Sequence, residues 1–163
     1  MFVHPAVDEL RGPTRHLLEE TAVLRIVLDT DVLVAAFDSP TGASRQLVVE
    51  VLDGHGSLLM STSLLFEYEA VLTRPAMLHM IGIDAAGVLA VLDELAGLCV
   101  PVALDYRWRP AATDPDDDMV IETAVNGGAD VIATFNVDDM RAGAARFGII
   151  AERPAAVLRR LRP

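Results

Sequence analysis

Short apolar runs that alternate with helical patterns are the feature that most constrains the fold of this chain. The first run, Leu24–Leu28, ends abruptly at Asp29, and the pattern then turns helical. Helical stretches also separate four later runs of the same kind: Ser57–Met60, Val100–Leu104, Val131–Phe135 and Ile149–Ile150. Strands that alternate with helices predict an α/β fold with a mainly parallel sheet and helices on both of its faces.

The chain has 163 residues, which is enough for one domain with its own core. We expect an N-terminal extension over residues 1–23, an α/β domain over 24–152 and a basic C-terminal helix over 153–163 that belongs to the same domain. No apolar run approaches the ~20 residues of a membrane span, and the N-terminus lacks the pattern of a signal peptide. We therefore expect a soluble, cytoplasmic protein without a membrane partner.

The basic residues exclude several kinds of chemistry. All 13 of them are arginine, so a P-loop lysine, a Schiff base and a lysine general base are excluded. A single cysteine, Cys99, excludes an intramolecular disulfide framework or a cysteine-based zinc site. The formal net charge is −11, which makes the arrangement of the acidic residues the next question.

Acidic side chains follow the predicted strands at the points where a parallel sheet carries its functional residues. Asp29 and Asp31 come directly after the first strand, and Asp138 and Asp139 follow the fourth. A third group, 114–118, opens a predicted helix between them. Three acidic groups at one sheet edge repel each other unless a counter-charge is present. Oxygen ligands of this kind favour Mg²⁺ or Mn²⁺.

Two other functions fit parts of this pattern. The run Asp29-Thr30-Asp31 after an apolar strand matches the nucleophile motif of haloacid-dehalogenase-like phosphatases, with Asp29 as nucleophile and Asp31 as acid–base. A non-catalytic module that binds a metal or a protein would also accommodate the acidic groups. An EF-hand is excluded, because Met119 and Val125 stand where its glycine and bidentate glutamate belong.

Over roughly four-fifths of its length, from Arg25 to about Ala151, the sequence resembles the PIN-domain nucleases. It is most similar to the bacterial branch of toxin components of toxin–antitoxin pairs, which includes VapC-like proteins. Three segments carry the resemblance: 26–36, 64–72, and 114–118 with the strand 131–134 behind it.

The resemblance implies a three-layer α/β/α fold and a hydrolase that cleaves single-stranded RNA with Mg²⁺ or Mn²⁺. It also implies a small antitoxin protein as partner and a homo-oligomer, most simply a dimer. Position by position, the family's acidic site falls on Asp29, Glu67 and Asp117, which are both the catalytic and the metal-binding residues. Many members of the family have their fourth acid, an aspartate, at the position where this chain has Asn136. Others have it three residues later, at the position of Asp139, and we choose Asp139.

Two further carboxylates are candidate metal ligands, namely Asp31 and Asp118. Asp31 is a departure from the family, in which this position is usually asparagine. The extra charge either tightens metal binding or is merely tolerated, and the sequence leaves both open.

The C-terminal arginines give an acidic protein a means of holding RNA. Six arginines lie between residues 141 and 163, where Glu152 is the one acidic residue. They fit either a solvated helix end or a surface that contacts phosphates. We predict that Arg159, Arg160 and Arg162 bind RNA or an acidic segment of a partner.

Overall fold

The computed structural model of the protein describes residues 23–106 and 117–162. Most of the expected N-terminal extension and most of the acidic run at 114–118 therefore lie outside the described residues. Within the described residues, five short strands alternate with eight α-helices, which confirms the predicted α/β fold.

The strands are all parallel, and their order in the sheet is β3-β2-β1-β4-β5. Their bounds are β1 Arg25–Leu28, β2 Ser57–Met60, β3 Val100–Pro101, β4 Val131–Ala133 and β5 Ile150–Glu152. Val27 of β1 is in register with Ile132 of β4, and Ile132 is in register with Ala151 of β5. The three central strands are buried almost throughout, which explains why they read as continuous apolar runs.

The helices connect the strands and cover the sheet in a three-layer arrangement. Five lie between β1 and β3 in the described chain: α1 Thr30–Asp38, α2 Ala43–Leu52, α3 Thr62–Leu72, α4 Pro75–Ile81 and α5 Ala85–Leu98. Three follow β3: α6 Asp118–Gly127, α7 Val137–Ala144 and α8 Pro154–Leu161. A 3-10 turn, Ala145–Phe147, follows α7. Helix α6 packs on β1, β2 and β4, whereas α8 packs on α2 and reaches β4.

Two elements differ from the sequence prediction. The predicted strand Val100–Leu104 is limited to Val100–Pro101, because this edge strand is exposed and its proline cannot donate a hydrogen bond to the ladder. Helix α4 is the second, because a proline at position 75 favours the end of a helix over the start of one. Pro75 instead occupies the first turn of α4, where its missing N–H costs nothing.

Close packing of α6 against the sheet depends on one glycine. A Cβ atom at Gly127 would lie 2.8 Å from Val102 Cγ2 and 2.9 Å from Leu59 Cδ1. Gly127 therefore lets the C-terminal end of α6 approach β2 and the segment after β3. Gly128 follows in a left-handed conformation and ends the helix.

No single helix among residues 23–106 and 117–162 is long and apolar enough to cross a membrane. Helices α4 and α5 would be long and apolar enough only if taken together, and they are bent by 86° relative to each other.

Candidate functional site

The acidic residues meet at the centre of the sheet. Because the strand order is β3-β2-β1-β4-β5, the direction of strand addition reverses between β1 and β4, and a crevice opens at their carboxyl ends. A cleft of about 350 Å³ lies there. Its lining residues are Asp29, Thr30, Asp31, Val34, Glu67, Val71, Asp117 and Asn136.

Asp29 is held in place by both of its carboxylate oxygens. It is the N-cap residue of α1, and its Oδ1 accepts a hydrogen bond from the Thr30 N–H at 2.8 Å. Its Oδ2 accepts a hydrogen bond from the Thr134 hydroxyl at 2.8 Å, and Thr134 Oγ1 in turn accepts the Asn136 N–H at 3.0 Å. Thr134 is fully buried, so the end of β4 fixes the carboxylate that follows β1.

Asp31 is only partly satisfied. Its Oδ2 accepts a hydrogen bond from the Phe135 N–H at 3.1 Å. Its Oδ1 is buried and has no hydrogen-bond partner among residues 23–106 and 117–162. An unpaired buried carboxylate oxygen is costly unless a cation or a proton compensates it.

The pKa values of both aspartates are raised, chiefly because the carboxylates are buried. Burial, followed by the neighbouring charge of Asp31, raises the pKa of Asp29 to about 6. The pKa of Asp31 is also raised, chiefly by burial. The two carboxylates are thus crowded and desolvated, which is an arrangement that a divalent cation would relieve.

Asp117 and Glu67 line the same cleft. Asp117, which is 8% exposed, precedes α6 directly, and Asn136 Nδ2 donates a hydrogen bond to its Oδ2 at 3.3 Å. Glu67 lies on α3 and is partly exposed. Asp117 and Asn136 therefore join the start of α6 to the turn after β4.

Buried hydroxyl groups position α3, which carries Glu67. The Ser61 hydroxyl caps α3 by accepting the Leu64 N–H at 3.2 Å, and it is 2.8 Å from the Thr123 hydroxyl of α6. The Tyr68 hydroxyl donates a hydrogen bond to the carbonyl of Leu28, the last residue of β1. Since Tyr68 is fully buried, this contact ties the helix of Glu67 to the strand that leads into Asp29.

The structure thus brings four of the six candidate carboxylates to one cleft, namely Asp29, Asp31, Glu67 and Asp117. Asp118 is buried at 3% exposure but does not line the cleft. Asp139 is exposed on the first turn of α7 and does not line it either, whereas Asn136 does.

The donor set fits a hard divalent cation by its chemistry. The cleft offers carboxylate oxygens and the side chain of Asn136, and Asp31 Oδ1 is a buried oxygen without a partner. In the conformation shown, no three His, Cys, Asp or Glu side chains of the described residues are close enough to hold one ion. Metal binding would therefore require the carboxylates of the cleft to turn toward each other.

The three C-terminal arginines of the sequence prediction point to different partners. Arg160 donates two hydrogen bonds of 2.7 Å to the carboxylate of Glu152. Arg162 donates to Glu50 at 2.6 Å and forms an ion pair with it. Arg159 instead lines a cavity next to the acidic cleft.

Tyr68 and Thr134 support the site although neither is among the predicted site residues. A threonine directly after an apolar strand and directly before a polar turn is a usable signal for a carboxylate-orienting hydroxyl. For Tyr68 no sequence signal exists, because its contact with Leu28 depends on how α3 crosses the sheet.

Comparison with known families decides what kind of fold carries this cleft. The family model described as PIN domain matches residues 25–138, well over half of the chain. The chain belongs to the PIN domain family. None of the curated proteins compared with the chain matches it. PIN domains are generally nucleases and commonly use divalent metals. The match covers Asp29, Asp31, Glu67, Asp117 and Asn136, and it ends one residue before Asp139.

Proposed function

We propose that this PIN domain is a Mg²⁺- or Mn²⁺-dependent endoribonuclease that cleaves single-stranded RNA. The observation that supports it most is the Asp29–Asp31 pair at the switch point of the sheet, in which Asp31 Oδ1 is buried without a hydrogen-bond partner in the described part of the chain. Asp117 lines the same cleft as this pair. Membership of a nuclease family gives the acidic cleft a substrate, the phosphodiester backbone of a nucleic acid.

Each residue of the cleft has a defined part in the proposed reaction. Asp29 and Asp117 are the principal ligands, and Asp31 Oδ1 is a further one. Glu67 completes the set from α3. When bound, Mg²⁺ or Mn²⁺ supplies activation of water and neutralises charge that develops on the phosphate. Thr134 and Asn136 are positioning residues, since they hold Asp29 and Asp117 through hydrogen bonds.

We propose Asp139 for the position of the family's fourth acid, in addition to the four carboxylates that line the cleft. Asn136 lines the cleft, whereas Asp139 lies three residues later on α7. The Mn²⁺ affinity of Asp139→Asn tests this choice: a fall supports Asp139, and an unchanged affinity contradicts it. Asn136→Ala does not distinguish the two residues, because it also removes the hydrogen bond that holds Asp117. Asp118, buried beside Asp117, is proposed as a ligand only if its side chain turns into the cleft.

The test is hydrolysis of an end-labelled, mixed-sequence single-stranded RNA. We expect cleavage with Mn²⁺, none with EDTA, and loss of cleavage in Asp29→Asn. Asp38→Asn is the matched control, because it makes the same change at the exposed far end of α1. Cleavage that survives both EDTA and Asp29→Asn contradicts the mechanism.

The same experiment addresses the other functions that fit the sequence. Mn²⁺ binding by calorimetry without cleavage of RNA under any metal would support a non-catalytic module. Turnover of an aryl phosphate with a phosphorylated Asp29 would support the phosphatase. The family match favours the nuclease over both.

We further propose that the protein is a toxin with a small antitoxin partner, acts in the cytoplasm and forms a dimer. These statements rest on the resemblance to VapC-like toxins. Growth arrest on expression, relieved by Asp29→Asn and by co-expression of a small neighbouring reading frame, tests the toxin role. Light scattering of the purified protein tests the dimer.

A further inference from the structure

A second cavity adjoins the acidic cleft. Its volume is about 520 Å³, and Asn136 lines both it and the cleft. Three arginines form much of its wall: Arg141 of α7, Arg153 just before α8, and Arg159 of α8. We call this site the arginine cavity.

The three guanidinium groups of the arginine cavity are available to a ligand. All three residues are exposed, and none of them hydrogen-bonds or ion-pairs with another side chain of the described residues. Glu152 also lines the cavity, but its carboxylate is held by Arg160. Asp138 is the one other acidic residue among the lining residues, so positive charge prevails there.

The wall between the two sites is a single turn of chain after β4. The Phe135 N–H donates to Asp31 on the cleft side, while Phe135 itself lines the arginine cavity and is 40% exposed. Asn136 likewise donates to Asp117 on one side and lines the cavity on the other. A nucleic-acid strand that leaves the cleft across this turn therefore enters the arginine cavity.

We propose that the arginine cavity binds a backbone phosphate of the single-stranded nucleic acid, next to the phosphate held at the acidic cleft. The proposal rests on the proposed nuclease function and adds the path that the nucleic-acid strand takes from the acidic cleft. Guanidinium groups pair bidentately with phosphate, which suits a chain without lysine. The exposed ring of Phe135, on the wall between the two sites, offers a face on which a base stacks.

The proposal separates the C-terminal arginines that the sequence grouped together. Arg159 contacts the strand, whereas Arg160 and Arg162 keep their carboxylate partners and do not. Arg141 and Arg153 take their place. This division provides a matched pair of variants with the same change in charge.

The test compares two triple variants for binding to a fluorescein-labelled single-stranded RNA in EDTA, measured by fluorescence anisotropy. The cavity variant is Arg141→Gln, Arg153→Gln and Arg159→Gln. The control is Arg74→Gln, Arg146→Gln and Arg162→Gln, which leaves Arg160 paired with Glu152 at the cavity. Each lost phosphate contact lowers the salt slope by about 0.7, so the cavity variant should have a slope about two units flatter. Between 50 and 200 mM salt, the wild type should then lose about 20-fold more affinity than the cavity variant does. The control should keep the wild-type slope.

Further readouts separate this proposal from the proposed function. In Mn²⁺, the cavity variant should raise KM for RNA while kcat changes little, because the metal-binding carboxylates are untouched. If the triple variant unfolds, Arg159→Glu, a single change at an exposed side chain, should still weaken RNA binding. Equal salt slopes for the two triple variants, with cleavage intact in the wild type, overturn the cavity proposal and leave the nuclease standing.

Two other results are also decisive. RNA binding that is lost in the cavity variant although the wild type cleaves nothing supports the cavity and contradicts the nuclease. Loss of binding to a labelled oligo-glutamate peptide, with RNA binding unchanged, overturns the proposal and assigns the cavity to an acidic protein partner.

Discussion

Replacing Asp31 with asparagine should stabilise the metal-free protein and weaken its metal site. The Oδ1 of asparagine can accept the Phe135 N–H, as Asp31 Oδ2 does now. The uncharged amide then occupies the buried position where Asp31 Oδ1 has no partner among the described residues. A neutral group replaces a buried charge, and the charge that opposes ionisation of Asp29 disappears.

The magnitude follows from the pKa of Asp29. A rise from 3.8 to about 6 means that ionising Asp29 in the fold costs about 3 kcal/mol, at about 1.36 kcal/mol per unit. Burial is the largest cause and Asp31 the second, so we assign about 1 kcal/mol to Asp31. Removing the buried charge of Asp31 itself adds to this, and we expect a gain of about 1–2 kcal/mol at pH 7.

The gain should depend on pH in a defined direction. Because the pKa of Asp29 is higher in the folded state, the cost is absent below pH 3.8 and fully present above about pH 6. Urea unfolding in EDTA at pH 4 and pH 7.5 should therefore show a small difference between wild type and Asp31→Asn at pH 4 and the full difference at pH 7.5. Asp38→Asn, at the exposed end of the same helix, is the control and should show no such pH dependence.

Calorimetry supplies the second half of the prediction. Mn²⁺ affinity should fall at least about tenfold in Asp31→Asn, since a carboxylate ligand becomes an amide. If Asp31→Asn gains no stability at pH 7.5, or gains as much at pH 4, the Asp29–Asp31 pair is not the source of the cost of ionising Asp29.

Three further predictions concern the supports of the site. Thr134→Val should lower Mn²⁺ affinity about 10-fold to 100-fold by calorimetry, because Asp29 loses the hydroxyl that orients it; unchanged affinity would contradict this role. Tyr68→Phe should cost about 1–2 kcal/mol in urea unfolding through its buried hydrogen bond, and no cost would mean that the contact is weak. Gly127→Ala should lower stability by about 1–3 kcal/mol because its Cβ clashes, whereas Gly97→Ala, with no atom within 4 Å, should raise it; equal effects would contradict the packing argument.

The elements with a strong local signal could be predicted from the sequence. The strand that ends at Leu28 and the run Ser57–Met60 lie where their buried apolar residues indicated. Ser61, directly after this second strand, caps α3 because its hydroxyl reaches the Leu64 N–H. The edge strand β3 was overestimated, since apolar character alone does not show which run lies at an edge.

The site could be predicted only as far as the resemblance carried it. Asp29, Glu67 and Asp117 do share a cleft. The unpaired oxygen of Asp31 depends on the turn after β4, which the sequence did not define. The separation of Arg159 from Arg160 follows from neighbouring positions on α8, and it depends on Glu152 lying within reach of one side chain and not the other.

The central position of β1 has a consequence for synthesis of the chain. Asp29 receives its hydrogen bond from Thr134, which is 105 residues later, and β1 has an unpaired edge until β4 is made. At about 5–20 residues per second, that interval on the ribosome lasts about 5–20 s. During it, a buried apolar strand presents a free hydrogen-bonding edge, which is a hazard for aggregation. The same delay keeps the acidic cleft unassembled in the nascent chain, so a translating ribosome carries no formed nuclease until β4 has joined the sheet.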